Sequence, residues 1–168
     1  CLGHHKYGMV MELMPKNSLF KLLQTKAALR QQLFTWPRKI QLGMDVASGL
    51  SYLHKHGILH RDLKSLNVVL DNQLRAKLCD FGLSKVKFQS SMSAGAGHEK
   101  GTLAWKAPEL LKRGSRHTEY SDIYSYGMVL WELATEKQPF ADAPSHDILA
   151  LWLAQGEEIP RPPACPES

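Results

Sequence analysis

Eight consecutive residues, His60-Arg61-Asp62-Leu63-Lys64-Ser65-Leu66-Asn67, constrain this chain more than any other feature. Asp80-Phe81-Gly82 follows, and then Ala107-Pro108-Glu109. In one fixed order the chain thus supplies an acidic group suited to take a proton, an amide suited to a metal and a carboxylate suited to a metal. A single three-residue match would carry little weight; an ordered set at this spacing carries a great deal.

The flanking sequence supports one continuous domain without internal repeats. Tyr7-Gly8-Met9-Val10-Met11 reads as a short buried strand, which Pro15 then ends by removing a backbone donor. Asn17 or Ser18 can cap a short helix through Leu19, Leu22 and Leu23. Thr35 and Pro37 mark a second helix start. From there Ile40, Met44, Ala47, Leu50 and Leu53 form an apolar stripe that Gly57 stops. Val68-Val69-Leu70 and Ala76-Lys77-Leu78, parted by an Asp71-Asn72 turn signal, read as a hairpin. Residues 84–101 are Gly/Ser-rich and aperiodic, a flexible loop. Asp122 to Thr135 is apolar nearly all round, so a buried helix is expected, and residues 146–155 form a last helix closed by Gly156.

These motifs resemble the protein kinase family, and within it the tyrosine-kinase-like serine/threonine group, from near residue 7 to the last residue. The resemblance implies an α+β, protein-kinase-like fold: a mainly helical large lobe with a small β-hairpin at the catalytic loop, the small lobe largely absent. Residues 1–168 would form a partial kinase domain, with the hinge at about 7–18 and the large lobe at about 19–168. The Gly-rich loop, the strand lysine and the final helices would lie outside it, so an upstream small lobe is required and the isolated chain is expected to be inactive.

The family's roles fall on named residues. Asp62 would accept or orient the substrate hydroxyl proton, Lys64 would sit beside the transferring phosphate, and Asn67 and Asp80 would hold Mg²⁺. Met11 would be the gatekeeper, Glu12 to Met14 the hinge that bonds adenine, with Val69 under the ring and Cys79 facing the nucleotide cleft. Arg61 would grip a phosphate on the activation segment, where Ser90, Ser91, Ser93 and Thr102 are acceptor candidates. Thr102 would also bond the Asp62–Lys64 pair. Supporting roles go to Asp122, which accepts backbone donors from the catalytic loop, to the stacked pair His60 and Phe81, and to Gly82. Glu109 normally pairs with a downstream arginine; Arg161 comes too early to be that residue. Were Glu109 buried, losing the pair would cost about 3–5 kcal/mol.

Lys64 and Gly101-Thr102 follow the serine/threonine pattern, while Trp105 and the Ser121–Gly127 run lean toward tyrosine-kinase relatives; the tyrosine-kinase-like group reconciles both. The expected function is transfer of the γ-phosphate of Mg-ATP to a serine or threonine of a protein substrate. The alternative is a pseudokinase or scaffold that binds partners without catalysis.

Composition excludes other classes. The net charge of +5 comes from scattered residues rather than a basic run, so no nucleic-acid partner is expected. Three dispersed cysteines make neither a disulfide framework nor a zinc site and fit a cytoplasmic setting. No apolar stretch reaches membrane-spanning length. Ala94-Gly95-Ala96-Gly97 lacks the Gly-Lys-Ser/Thr that a phosphate loop needs.

Overall fold

The computed structural model describes residues 10–25, 33–81 and 103–162. Helix α1 (Leu19–Leu23) starts at Ser18, whose hydroxyl accepts from the Lys21 amide. Helix α2 (Trp36–Lys55) begins after Thr35 with a proline in its first turn, and Gly57 turns the chain away at φ +68°. Strands β1 (Val68–Leu70) and β2 (Ala76–Leu78) pair antiparallel, Val69 opposite Lys77. Helix α3 (Glu119–Thr135) opens on a reciprocal cap between Thr118 and Ser121. Helix α4 (His146–Gln155) is capped by the Ser145 hydroxyl and closed by Gly156 in the left-handed region.

The core lies between α2, α3 and the hairpin. Leu42, Val46 and Leu50 of α2 meet Met128, Val129 and Leu133 of α3, with Leu63, Val68 and Leu70 enclosed beside them. Each fully buried aliphatic side chain contributes roughly 1.5–3 kcal/mol. The helices approach closely at Gly43, where a Cβ would stand 2.9 Å from Leu130 Cδ2 and where the Tyr126 hydroxyl donates to the Gly43 carbonyl. Asp45 clamps the hairpin to α2: its carboxylate accepts from the Arg75 guanidinium and the Ala76 amide. Burial pushes its carboxyl up, but the hydrogen bonds from Arg75, Ala76 and Gln41 outweigh that and hold it below the ordinary range.

Four expectations are corrected. The inward face of α2 runs through Lys39, Leu42, Gly43, Val46, Leu50 and Leu53, whereas Ile40 and Met44 are exposed. The phase differs because Lys39 is held inside by Glu136, by the Ala134 carbonyl and by the Trp36 ring. Val10 and Met11 are neither strand nor buried: the described sheet bonds Ser18, not these residues, so they have no ladder to join. Helix α3 is not buried all round, since Tyr120 and Ile123 are exposed and Leu130, though packed on Gly43, is partly so. Glu109 is exposed, so water solvates its carboxylate and the burial cost does not arise.

Candidate active site

The His60–Asn67 loop owes its shape to one carboxylate. Asp122, on the first turn of α3, is 1% exposed and accepts from the His60 and Arg61 amides, both at 2.8 Å, and from His54 Nε2 at 3.0 Å. Arg61 sits at φ +67°, a conformation that costs a non-glycine residue about 1–3 kcal/mol and persists only where its surroundings fix it. The two Asp122 bonds, from the amide of Arg61 itself and from that of the preceding His60, do the fixing. Asp80, ten residues past β1, is likewise at φ +60°.

Within the loop, Asp62 is the hub. Lys64 Nζ stands 3.1 Å from Asp62 Oδ2. Asn67 donates its amide nitrogen to the Asp62 carbonyl at 2.7 Å and to Oδ2 at 3.1 Å. With its nitrogen committed inward, Asn67 retains its side-chain oxygen, a hard donor of the kind Mg²⁺ takes. The Cys79 amide then bonds the Asn67 carbonyl at 3.0 Å, which ties the end of β2, and so Asp80, to the same loop. Among the described residues no cluster of three His, Cys, Asp or Glu side chains could hold a metal by itself. An amide oxygen, an exposed carboxylate and substrate phosphates fit Mg²⁺ better than a closed protein cage would.

Of the residues expected to border a nucleotide, Glu12 and Val69 meet across the hairpin through Lys77. Glu12 binds Lys77 Nζ at 2.7 Å, and Lys77 is the strand partner of Val69. Met14 is half-buried, and Met11 is 66% exposed. Cys79 is half-buried with its thiol toward the Asn67 carbonyl; burial, then Asp80, pushes that thiol up, which lowers its reactivity.

Other expected residues are dispersed or unaccounted for. His60 is wholly enclosed, whereas Phe81 is 45% exposed, so the two rings do not share one environment. Burial drives the His60 imidazole toward its neutral form, against the pull of Asp122 and Asp62. Arg61 lines a hollow with Asp62, Lys106, Leu110 and His117. Gly82, Ser90, Ser91, Ser93 and Thr102 lie outside the described residues, as does the loop at 84–101.

The sequence assigns no site role to Glu132, Ser65 or His54, and marks Trp105 only as a subgroup feature. Glu132 is 1% exposed, accepts from the Ser65 hydroxyl at 2.7 Å and from the Trp105 indole at 2.6 Å, and burial pushes its carboxyl up to about 7. The signal that marks it is a lone carboxylate in the apolar run Met128–Leu133. Because its folded value exceeds the ordinary 4.5, the stabilisation is complete below about 4.5 and is lost as pH rises through about 7. Denaturant titrations over that range should show a loss of about 3 kcal/mol that Glu132→Gln abolishes. Equal pH slopes in both proteins would refute it.

The family model for "Protein tyrosine and serine/threonine kinase" matches residues 1–168. The chain is similar to serine/threonine-protein kinase CTR1 of Arabidopsis thaliana, 42% identical over 161 residues that make up 92% of this chain and 19% of that protein. It is 36% identical over 156 residues to receptor-interacting serine/threonine-protein kinase 2 of Bos taurus, covering 89% of this chain and 28% of the relative. Mitogen-activated protein kinase kinase kinase zak-1 of Caenorhabditis elegans is 39% identical over 130 residues, 76% of this chain and 17% of its own. The chain therefore spans less than a third of the length of these relatives.

Proposed function

The chain belongs to the protein tyrosine and serine/threonine kinase family, on its tyrosine-kinase-like branch, and from that premise we propose that it forms the hinge and most of the large lobe of a serine/threonine protein kinase. The observation that carries the proposal is the Asp62–Lys64–Asn67 cluster, in which the Lys64 and Asn67 side chains both engage the Asp62 carboxylate.

Bound Mg-ATP supplies the phosphoryl group and the positive charge that neutralises it. Phosphoryl transfer then asks the protein chiefly for alignment and charge. Lys64 and Asn67 both engage Asp62 Oδ2, which leaves Oδ1 to meet a substrate hydroxyl. As the hydroxyl oxygen bonds to the γ-phosphorus and the bond to the β-phosphate oxygen breaks, the hydroxyl proton passes to Asp62. Lys64, 8% exposed at its side chain, contributes a poorly solvated positive charge beside the transferred group. Asn67 Oδ1 and the Asp80 carboxylate are the oxygens that would hold Mg²⁺. Glu12, Met14, Val69 and Cys79 would border the adenine, and Arg61 would receive a phosphate from the activation segment.

Serine/threonine specificity is supported by Lys64 and by the printed names of the relatives, all serine/threonine kinases or kinase kinase kinases. Dispersed cysteines support a cytoplasmic site of action, and no described helix is long and apolar enough to cross a membrane. The test is to incubate the full-length protein with Mg-ATP and a general protein substrate, then hydrolyse the product. Phosphoserine and phosphothreonine are expected. Phosphotyrosine alone would overturn the specificity, and nucleotide binding without transfer would favour a scaffold.

A further inference from the structure

The hollow beside Asp62 is walled by positive charge that the catalytic cluster does not use. Arg61, Lys106 and His117 line it, with Leu110 between them. Lys106 and His117 are half-buried, and among the described residues neither side chain has a hydrogen-bond or ion-pair partner. The Arg61 Nε–H is enclosed and likewise meets no acceptor among them. An enclosed charged donor is costly to leave unpaired, so a group of opposite charge is what this wall lacks. Its own two carboxylates are engaged elsewhere. Lys64 and Asn67 hold Asp62, while the His60 and Arg61 amides and His54 hold Asp122.

The three basic groups face a common space. Burial drives the His117 imidazole toward its neutral form, and Lys106 and Arg61 push the same way, against Asp122 and Asp62. The stretch from Leu103 to Thr118, which supplies Lys106, Leu110 and His117, also carries Lys112, Arg113 and Arg116. Its one carboxylate is Glu109, which is exposed to water. An acidic segment is therefore attracted as it approaches this face, and a basic one is repelled.

We propose that this hollow selects the protein substrate: Lys106, with Arg61 and His117, receives the carboxylate of an aspartate or glutamate that lies a few residues from the phosphoacceptor. The proposal rests on the kinase reading, which puts the acceptor hydroxyl at Asp62, on the same wall. Lysine suits the task because its ammonium is a compact charge on a flexible stem, able to follow either side chain. Leu110 offers the methylene groups of that side chain an apolar neighbour.

Size separates this ligand from a phosphate. The free space in the hollow is about 20 Å³, room for roughly one or two oxygen-sized atoms. A carboxylate end fits there, and the larger phosphate does not. A phosphate on the activation segment would meet Arg61 outside the hollow, through guanidinium donors other than the enclosed Nε.

The experiment gives the full-length protein Mg-ATP and peptides that hold one serine in an alanine-glycine background. Glutamate, glutamine or lysine is moved through the flanking positions. At one position glutamate should raise kcat/KM about tenfold over glutamine, through KM, the factor that one hydrogen bond to a charged group carries. Lysine should be the poorest there, and added salt should shrink the advantage. Lys106→Met should erase the preference. Lys106→Glu should invert it in favour of lysine, a comparison made within one protein and so independent of how much of the variant folds. Equal rates for the three side chains at every position, or a glutamate preference that survives both substitutions, would overturn the proposal. If no peptide is phosphorylated the kinase reading fails, and fluorescence anisotropy of the same peptides, labelled, then decides the hollow by itself. Glutamate peptides binding about tenfold more tightly than glutamine peptides would support it, and equal binding would overturn it.

Discussion

Asparagine in place of Asp62 should lower phosphotransfer by the full-length protein about 100- to 10,000-fold, the range that a lost general base accounts for. The fold should survive the change. Asn67 donates at 2.7 Å to the Asp62 backbone carbonyl, which the substitution does not touch, and an asparagine oxygen still faces Lys64. What disappears is the carboxylate that receives the hydroxyl proton. Steady-state kinetics should therefore show kcat collapsing while the KM for ATP and the melting temperature stay close to wild type. A loss under tenfold would remove Asp62 from the proton-accepting role and move the function toward partner binding.

Asp122→Ala should instead act on stability. Two buried backbone amides, at His60 and Arg61, would lose their acceptor, each at about 1–3 kcal/mol. The left-handed residue Arg61 would lose the bonds on which its conformation depends. For a chain of this length the sum corresponds to a drop in Tm of roughly 10 °C. Asp122→Asn keeps one oxygen and should recover part of that drop. Thermal denaturation of the three proteins decides it: a fall below about 2 °C for the alanine variant would show that the loop is held by something else.

Local chemistry was the legible part of this chain. Thr35 and Pro37, Gly57, the Asp71-Asn72 turn and Ser18 all mark boundaries with information carried within a few residues, and the structure places elements where they indicate. Pattern reading failed where a distant partner overrode a residue's type. Lys39 is inside because Glu136 and Ala134, nearly a hundred residues on, receive its ammonium group. Glu132 read only as a charge interrupting an apolar run, because Ser65 and Trp105 are 67 and 27 residues away. Met11 read as strand because its neighbours are apolar, but a strand exists only where a ladder receives it. The site motifs name Asp62, Lys64 and Asn67, whose side chains the fold brings into contact, yet give no hint that Asp62 Oδ2 is shared between the other two.

Residues 16–18 and the hairpin are laced together by main-chain bonds: Lys16 donates to the Leu70 carbonyl, Leu70 to the Asn17 carbonyl, and Ser18 bridges to Val69. At the same turn end, on the partner strand, Arg75 and the Ala76 amide bolt the hairpin to α2 through Asp45, and at the opposite end the Cys79 amide bonds the Asn67 carbonyl. Lys16–Ser18 thus have a hydrogen-bonded route to the loop: β1, which they bond at Val69 and Leu70, begins directly after Asn67.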